Sequence, residues 1–368
     1  MKKRRTAFVA IFFVLMLMVS VLTFVLPIKG FSENENRVLA PLPKLSLEEI
    51  KSGRFQEGLS NFLSDQVPLR ESWIKLNTAV KKVSGKREIN GVYLSHDKYY
   101  IQKFTEESFS NTSMVSIFSM IDSFAKENKD SFNTSVMLVP SPGVILDKKL
   151  PYDAPFYDYD KVYNAADEII SAPLIDLRKP LKDAASSNVD LYYHTDHHWQ
   201  YSGAQIAYNE FIKSKGLTPK SFEDKKVCDN FYGTTYSKLL DTTAKSDSIF
   251  APKLPSDIEK QIYRPEKLEA KDKYEYFFGG NFDKVSVDTN VKNGKNILLI
   301  KDSFANSFAP FLTKDYEKIV LVDLRFFDGD LRELCEEEEI TDVLFLYETS
   351  NLLTDKGILK LANSIETF

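Results

Sequence analysis

The last hundred residues alternate between short apolar runs and segments with helical spacing, and this alternation constrains the fold more than any other feature. The predicted strands lie at 296–300, 319–324 and 343–347. The predicted helices lie at 303–312 (a turn leading into a helix), 329–337 and 354–365. A βαβαβα order of this kind is typical of a mostly parallel sheet, with right-handed crossovers and helices on its faces.

The middle of the chain continues the same pattern. An amphipathic segment at 113–128 precedes a short apolar strand at 135–139, and a second helix at 157–170 precedes a strand at 174–177. We therefore predict one α/β domain over 91–368, opened by a hairpin at 92–101. An irregular, charged insertion around 217–295 interrupts it, with a strand expected near Val285.

An apolar run covers residues 7–28 and follows four cations, Lys2, Lys3, Arg4 and Arg5. Its length is sufficient for a helix that crosses a bilayer. The cations favour a cytoplasmic N-terminus, so residues 1–30 are predicted to be a signal-anchor and the rest extracytoplasmic. A cleaved signal peptide is the alternative, although no typical cleavage site follows the run.

Residues 31–90 read as a helical juxtamembrane segment. Ser46 is a candidate N-cap before an apolar pattern, and Pro68 interrupts the helical spacing between two predicted helices. The segment is therefore expected to separate the anchor from the α/β domain.

Charge and cysteine content exclude some classes of protein. The net charge is −5, and the remainder is more acidic still without the N-terminal cations, which argues against a nucleic-acid partner. The two cysteines, Cys228 and Cys335, form no zinc-binding spacing and are expected to be free thiols, although pairing outside the cell stays open.

Three of the four histidines lie within one octapeptide, Y-H-T-D-H-H-W-Q, at 193–200. His194, His197 and His198 accompany Asp196 there, just before a predicted helix. Such a cluster suits proton transfer or metal binding. We favour proton transfer, because the four potential ligands on this loop are not expected all to point inward, and no distant histidine or cysteine cluster is available to complete a metal site. No metal or other cofactor is predicted.

Ser303 follows the predicted strand at 296–300, where functional groups of α/β sheets collect. A serine becomes a nucleophile when a base takes its proton and a third group orients that base. The histidine segment offers both, so a Ser-His-Asp site is a candidate. The alternative interpretation is that Ser303 only caps the N-terminus of the following helix.

The sequence Asp196-His197-His198-Trp199 resembles the signature of the bacterial DHHW protein family. That family is similar to the SGNH hydrolase-like domain of the alginate O-acetylation proteins J and X. Further resemblance covers F-S-E-N-E-N-R-V-L-A-P-L-P at 31–43, S-D-Q-V-P-L-R at 64–70 and the serine segment at 298–312. It implies a flavodoxin-like α/β fold, with Asp196 orienting His198, His198 as base and Ser303 as nucleophile.

Other residues receive weaker assignments. His194 and His197 are expected to support the site. Candidates for oxyanion or substrate contacts are Asn306, Gly280, Asn281, Arg325, Trp199 and Tyr201. Turn, salt-bridge or core roles are the alternatives for each of these six.

The resemblance implies an extracytoplasmic O-acetyltransferase that acts on a cell-envelope or exported polysaccharide. A membrane-bound O-acyltransferase is the implied acetyl donor, since acetyl-CoA is cytoplasmic. Two alternatives stay open: an acetyl-esterase with the same three residues, and a non-catalytic polysaccharide-binding or assembly factor.

Overall fold

The computed structural model describes residues 2–365, with side chains described from Thr6 onward. The four cations on which the predicted orientation rests therefore have no described side chains. The chain forms two compact units. One comprises Met1–Asn90 together with Tyr236–Thr243, and the other comprises the remaining residues.

The first unit is mainly helical. Its elements are α1 Lys2–Val25, β1 Phe31–Ser32, β2 Arg37–Val38, α2 Leu47–Lys51, α3 Arg54–Gln66, α4 Arg70–Val83 and β3 Glu88–Ile89. Within α1, Thr6–Val25 has a mean hydropathy of 2.9 and is long and apolar enough to cross a membrane. This helix fits the predicted anchor and fits a signal sequence equally well.

A group of ion pairs fixes the corner between α3 and α4. Arg37 binds Asp65 through two hydrogen bonds of 3.0 and 2.5 Å, and Arg70 binds Glu35 at 2.8 and 3.1 Å. α3 ends at Gln66, before Pro68, and Leu69 then adopts a left-handed φ of 58° at the start of α4. The motifs at 31–43 and 64–70 therefore have a structural role in this unit.

The second unit is built on a six-stranded sheet. Its strands are β6 Asn133–Val139, β7 Leu174–Asp176, β10 Lys284–Asp288, β11 Asn296–Lys301, β12 Lys318–Val322 and β13 Asp342–Glu348. The spatial order is β10-β12-β11-β13-β6-β7, and every pair is parallel except the one between β10 and β12 at the edge. The predicted α/β class with a mostly parallel sheet is confirmed.

The order of the parallel strands differs from that of flavodoxin. Numbered along the chain, they run 2-1-5-3-4 across the sheet, whereas flavodoxin runs 2-1-3-4-5. The last strand, β13, lies between β6 and β11. Every residue of β11 and β13 is buried, as expected for central strands covered on both faces.

Helices and shorter strands complete this unit. The α-helices are α5 Asn111–Glu127, α6 Pro142–Ile145, α7 Tyr159–Ile169, α8 Arg178–Ser186, α9 Tyr201–Ser214, α10 Thr234–Leu239 (whose end belongs to the first unit), α11 Ser256–Ile262, α12 Ala305–Phe308, α13 Leu331–Glu337 and α14 Thr349–Thr354. The 3-10 helices are Glu106–Ser108, Asp147–Lys149, Pro265–Glu269, Lys273–Tyr276, Ala309–Lys314 and Lys356–Ser364. The remaining strands are β4 Val92–Leu94 with β5 Tyr100–Gln102, and β8 Asp224–Phe231 with β9 Asp247–Pro252, each pair antiparallel.

Two predicted helices are wrong in form. The helix expected at 303–312 is four α-helical residues followed by a 3-10 segment, since Pro310 has no N–H to continue an α-helical ladder. The helix expected at 354–365 is the end of α14 followed by a 3-10 helix. Asp355 accepts the N–H of Gly357, and a Cβ on that glycine would lie 2.8 Å from the backbone nitrogen of Arg325.

Candidate active site

Ser303 lies in a tight turn at the carboxyl end of β11. The N-cap position of α12 belongs to Phe304, so Ser303 is not the capping residue that the alternative reading required. Asp302 holds the turn, because its carboxylate accepts the N–H of Phe304 at 2.9 Å. The other oxygen of Asp302 accepts the N–H of Glu348 at 2.9 Å, which ties the turn to β13.

The histidine segment forms a closed loop before α9. Tyr192 and Trp199 form an antiparallel bridge, and the N–H of Tyr193 donates to the carbonyl of His198 at 3.1 Å. Gly203 in the first turn of α9 lets the helix approach, since a Cβ there would lie 2.8 Å from the carbonyl oxygen of Leu191. The loop therefore presents its histidines from a rigid base.

Trp199 joins this loop to the serine turn. Its indole N–H donates to the carbonyl of Phe304 at 3.0 Å and to Ser307 Oγ at 2.9 Å. The side chain is fully buried, so it offers no face on which a sugar ring could stack. The predicted substrate contact of Trp199 does not fit this position, because its ring packs against Phe304 and Phe308.

The three residues expected to act together lie within hydrogen-bond distance of one another. Ser303 Oγ is 2.7 Å from His198 Nε2, although the two residues are 105 positions apart in the chain. His198 Nδ1 is 2.5 Å from Asp196 Oδ1. This is the geometry of a nucleophile, a base and the carboxylate that orients the base.

Asp196 lies in a buried socket that was not predicted. One carboxylate oxygen accepts the N–H of His198 at 2.9 Å; the other accepts the N–H of Thr234 at 2.7 Å and its hydroxyl at 3.0 Å. Gly233 closes the socket so tightly that a Cβ on it would lie 2.2 Å from Asp196 Cβ. The sequence signal was the turn-like F-Y-G-T-T at 231–235, which carried no assigned role.

The charge of Asp196 is stabilised despite its burial. Burial alone would raise the pKa of this carboxyl, but the neighbouring charges of His198 and His197 and the hydrogen bonds from His198 and Thr234 outweigh burial and lower the pKa below its usual value. Asp196 is therefore ionised at neutral pH and can stabilise an imidazolium at His198.

Aromatic rings hold the His198 imidazole in place. Tyr274 stacks on it at 3.8 Å between ring centroids with an interplanar angle of 12°, and the Phe304 ring lies at 5.0 Å. The Tyr274 hydroxyl donates to the carbonyl of Ser303 at 3.1 Å and also lies 3.0 Å from Ser307 Oγ. Tyr274 thus contacts both the base and the nucleophile turn, and no sequence motif marked it.

The other two histidines of the segment have different neighbours. The His197 ring lies 3.9 Å from that of His198, tilted by 37°, and its Nδ1 is 2.7 Å from Thr234 Oγ1. His194 points elsewhere, with Nδ1 3.2 Å from Asp247 Oδ1 and its ring stacked on Tyr99 at 3.9 Å. The structure thus places His197 at the site. His194 lies outside it, against Asp247 and Tyr99.

Asn306 and Lys301, both buried, form a cluster with the partly exposed Gly280 and Asn281. The Asn306 amide donates to the carbonyl of Gly280 at 3.2 Å and to Asn281 Oδ1 at 3.3 Å, so its hydrogens are not directed at an oxyanion. Lys301 donates to Asn281 Oδ1 at 2.9 Å, and burial lowers the pKa of this lysine to about 8. These contacts pin the 278–281 loop to α12, which is a structural role.

The last two candidates also make internal contacts. Arg325 forms a two-pronged ion pair with the fully buried Asp323, as the salt-bridge alternative expected. Tyr201 donates its hydroxyl to the carbonyl of Phe222 at 3.1 Å, and its ring lies 5.1 Å from that of Phe311. Neither residue contacts Asp196, His198 or Ser303.

Three of the four potential metal ligands in the histidine segment converge. Asp196, His197 and His198 have potential ligand atoms within 4.8 Å of one another, whereas His194 Nδ1 lies beside Asp247. The four side chains therefore do not all point inward, as the spacing predicted. Both oxygens of Asp196 and both nitrogens of His198 already have protein hydrogen-bond partners, so a metal ion would have to displace those bonds.

Comparison with known proteins agrees with the fold. Residues 120–273 match the sequence model of the family described as SGNH hydrolase-like domain, acetyltransferase AlgX. This range holds Asp196 and His198 and ends before Ser303. No curated protein matches the chain by sequence.

Several solved structures are similar to the chain. A DHHW family protein from Eubacterium siraeum aligns with a TM-score of 0.63 and 22% identity, over 76% of this chain and 98% of that one. PatB1 from Bacillus cereus aligns at 0.60 and 20%, over 73% and 98%. The O-acetyltransferase domain of Pseudomonas putida AlgJ aligns at 0.51 and 15%, over 74% and 99%. The resemblance noted from the sequence is confirmed, and at these identities it establishes the fold.

Proposed function

We propose that this chain, which carries an SGNH hydrolase-like domain similar to that of acetyltransferase AlgX, transfers acetyl groups to a hydroxyl of a cell-envelope or exported polysaccharide. The observation that carries the proposal is the continuous relay from Asp196 through His198 to Ser303, at 2.5 and 2.7 Å. Two similar structures support the class of reaction, since one is the O-acetyltransferase domain of AlgJ and PatB1 has been solved with a sulfonyl adduct.

The first half-reaction loads the enzyme. Ser303 Oγ attacks the carbonyl carbon of the donor's acetyl ester while His198 Nε2 takes the hydroxyl proton. The tetrahedral adduct then collapses, the donor's alcohol oxygen leaves with the proton from His198, and acetyl-Ser303 remains. Asp196 stabilises the imidazolium throughout and keeps Nε2 directed at the serine.

The second half-reaction transfers the acetyl group. An acceptor hydroxyl gives its proton to His198 Nε2 and attacks the acetyl carbon, and Ser303 leaves with the proton restored to its oxygen. Water in place of the sugar hydroxyl yields acetate. An esterase would therefore use the same residues, and the product distinguishes the two reactions.

We place the reaction outside the cytoplasm, with α1 as a single-pass anchor. A membrane-bound O-acyltransferase is then the proposed acetyl donor, because acetyl-CoA is confined to the cytoplasm. The acidic character of the chain outside its N-terminus gives no support to a nucleic-acid partner.

The test uses the full-length chain in detergent with p-nitrophenyl acetate as donor and an oligosaccharide as acceptor. We expect acetylated sugar, an acetyl adduct on Ser303, and inactivation by phenylmethylsulfonyl fluoride. Ser303→Ala should abolish all three, whereas Ser307→Ala, four residues away, should retain the adduct. Acetate as the only product would make the protein an esterase. Turnover that does not depend on Ser303 would reject both enzymatic activities.

A further inference from the structure

Three neighbouring parallel strands end at the same level beside Ser303. Lys301 of β11 pairs with Leu346 of β13, and the N–H of Glu348 donates to Asp302, the residue before Ser303, at 2.9 Å. Glu348 in turn pairs with Val139 of β6, two residues before Ser141. Because functional groups collect at the carboxyl ends of parallel strands, the side chains that follow β6 and β13 belong to the neighbourhood of the nucleophile.

A small cavity lies at this edge, with a volume of about 20 Å³. Its walls include Ser141, Glu348, His197 and Phe304. The last two also contact the base, since the rings of His197 and Phe304 lie 3.9 and 5.0 Å from that of His198. The cavity thus adjoins the triad, and its size suits one water molecule or one hydroxyl group.

Two buried polar atoms at this cavity form no hydrogen bond in the structure: Ser141 Oγ and Glu348 Oε1, on residues that are 6% and 3% exposed. The Tyr157 hydroxyl lies near both residues and is likewise buried without a hydrogen bond. The second carboxylate oxygen of Glu348 is engaged, since it accepts from the Ser350 hydroxyl and from the N–H of Asn351 at 2.9 Å. Buried polar groups are almost always paired, so two unpaired atoms at one cavity point to a missing polar partner.

The charge state of Glu348 restricts what that partner can be. Burial, reinforced by the negative charge of Asp302, raises the pKa of this carboxyl to about 7. Near neutral pH the group therefore exists in both protonated and ionised forms, and it can donate or accept a hydrogen bond. An uncharged hydroxyl can match either form, whereas an anion would be repelled by the ionised form.

We propose that Glu348 and Ser141 form a binding subsite for one hydroxyl group of the sugar that accepts the acetyl group. The subsite holds a second hydroxyl of the acceptor while the reacting hydroxyl approaches Ser303. This inference rests on the proposed function for the identity of the ligand. The two side chains of the subsite can be tested by binding alone, without turnover.

Binding is measured on the full-length Ser303→Ala protein, so that catalysis does not intervene. Chitopentaose and cellopentaose are the probes, and saturation-transfer NMR gives the Kd. Ser141→Ala and Glu348→Gln should each weaken binding about tenfold, the usual effect of losing one hydrogen bond to a buried group. Gln keeps the shape of Glu and an oxygen for Ser350 and Asn351. Thr134→Ala is the matched control, because Thr134 Oγ1 is also buried and unpaired but lies at the opposite end of β6.

The outcomes separate the subsite from the proposed reaction. Weaker binding in Ser141→Ala and Glu348→Gln, with the Thr134 control unchanged, supports the subsite. An identical Kd in all variants, or no saturable binding of either probe, overturns it. Failure of the proposed reaction would appear in the turnover assay, where Ser303→Ala would leave the rate unchanged.

A second inference comes from the first unit, where α4 exposes a continuous apolar stripe. Its members are 51 to 91% exposed: Leu69 just before the helix, then Trp73, Leu76, Val80 and Val83. Their 4-3-4-3 spacing places them within an arc of about 80° on the helix surface. Three lysines, Lys75, Lys81 and Lys82, lie on the same helix.

Contacts near the end of α1 place the start of this stripe, Leu69, beside the apolar helix. Gln66 at the end of α3 donates to the carbonyl of Lys29 at 2.9 Å and accepts its N–H at 3.0 Å. The ring of Phe24 lies 6.1 Å from that of Phe62. A groove of about 600 Å³ is lined both by Leu26 at the end of α1 and by Leu69.

We infer that the Leu69–Val83 stripe lies on the outer surface of the membrane that α1 crosses. A tryptophan and several leucines or valines on one face, with lysines on the same helix, are characteristic of helices that lie in the lipid interface. The stripe begins near the end of α1. If α1 crosses a bilayer, the lipid surface therefore lies next to the stripe.

The test uses the full-length protein in vesicles of phosphatidylcholine brominated in the acyl chains. The chain has two tryptophans, and Trp199 is fully buried, so the difference between wild type and Trp73→Phe isolates the emission of Trp73. Brominated lipid should quench the fluorescence of Trp73, and acrylamide in the aqueous phase should not. Quenching by acrylamide alone overturns the inference, as does protection from both quenchers, which would indicate a second protein copy. Failure of the vesicles to carry the protein in flotation would reject the anchor itself.

Discussion

Gly233 is a residue whose replacement should disable the site although none of the three proposed catalytic residues is itself substituted. A Cβ at this position would lie 2.2 Å from both Cβ and Oδ2 of Asp196. Carbon atoms pack at about 3.5 Å, so the Asp196 side chain must retreat by about 1 Å in Gly233→Ala. The N–H of Gly233 donates to Thr195 Oγ1 at 3.2 Å, which limits how far residue 233 itself can move.

The expected loss follows from that displacement. Asp196 would lose alignment with His198 Nδ1, now 2.5 Å away, and a misplacement of about 1 Å costs on the order of 100-fold in rate. Overpacking should also lower the free energy of unfolding by about 1–3 kcal/mol. We therefore expect kcat for acetyl transfer or ester hydrolysis to fall about 100-fold while the protein stays folded.

The assay compares Ser303-dependent turnover of p-nitrophenyl acetate in wild type, Gly233→Ala, Asp196→Asn and the double variant. Gly30→Ala is the control, because nothing lies within 4 Å of a Cβ there. If Gly233 acts through Asp196, the double variant should be no slower than Asp196→Asn alone. Gly233→Ala turnover within about threefold of wild type, or fully additive losses, would refute this account of the socket.

Three further predictions concern charge and metal. Asp196→Asn should lower kcat about 10⁴-fold, as expected when an orienting carboxylate becomes an amide, and a loss below tenfold would contradict its role. Glu348 has a folded-state pKa of about 7 against an ordinary value of 4.5, so the folded state binds the extra proton between these pH values. The contribution of this group to the free energy of unfolding is fully present below pH 4.5 and falls by about 3 kcal/mol as pH rises through 7. Denaturant titrations at several pH values should show this decrease in wild type and not in Glu348→Gln. Dialysis against EDTA should leave turnover unchanged, because the Asp196 oxygens and His198 nitrogens are already hydrogen-bonded, whereas a loss reversed by zinc would show that the Asp196-His197-His198 cluster binds metal.

The sequence predicted what depends on local pattern. Strands β11, β12 and β13 were found from their apolar runs, and the loop before α9 from its histidines. The chemistry of the residues suggested that the histidine segment meets Ser303, and family resemblance then singled out Asp196 and His198, because no periodicity reports that segments 105 residues apart meet. The insertion of β13 between β6 and β11 could not be predicted either, since strand order depends on packing between distant segments.

The residues of the site that the sequence did not predict carry no charged or otherwise distinctive side chain. Gly233 contributes by the absence of a side chain, and Thr234 by a backbone N–H and one hydroxyl. Tyr274 is one of 18 tyrosines, and only the fold shows that it stacks on His198. Conversely, Asn306, Arg325 and Trp199 had chemically suggestive side chains that the structure uses for internal contacts.

The indole hydrogen bonds of Trp199 have a consequence for when the chain can act. They link the histidine loop to residues 304 and 307, so base and nucleophile come together only after the sheet, α9 and α12 have assembled. Hydrolysis of an ester is therefore a reporter of complete folding: activity and tertiary structure should disappear at the same denaturant concentration. Under the proposed extracytoplasmic location, a chain still unfolded during export would have no base beside Ser303, so it could not hydrolyse acetyl esters before it folds.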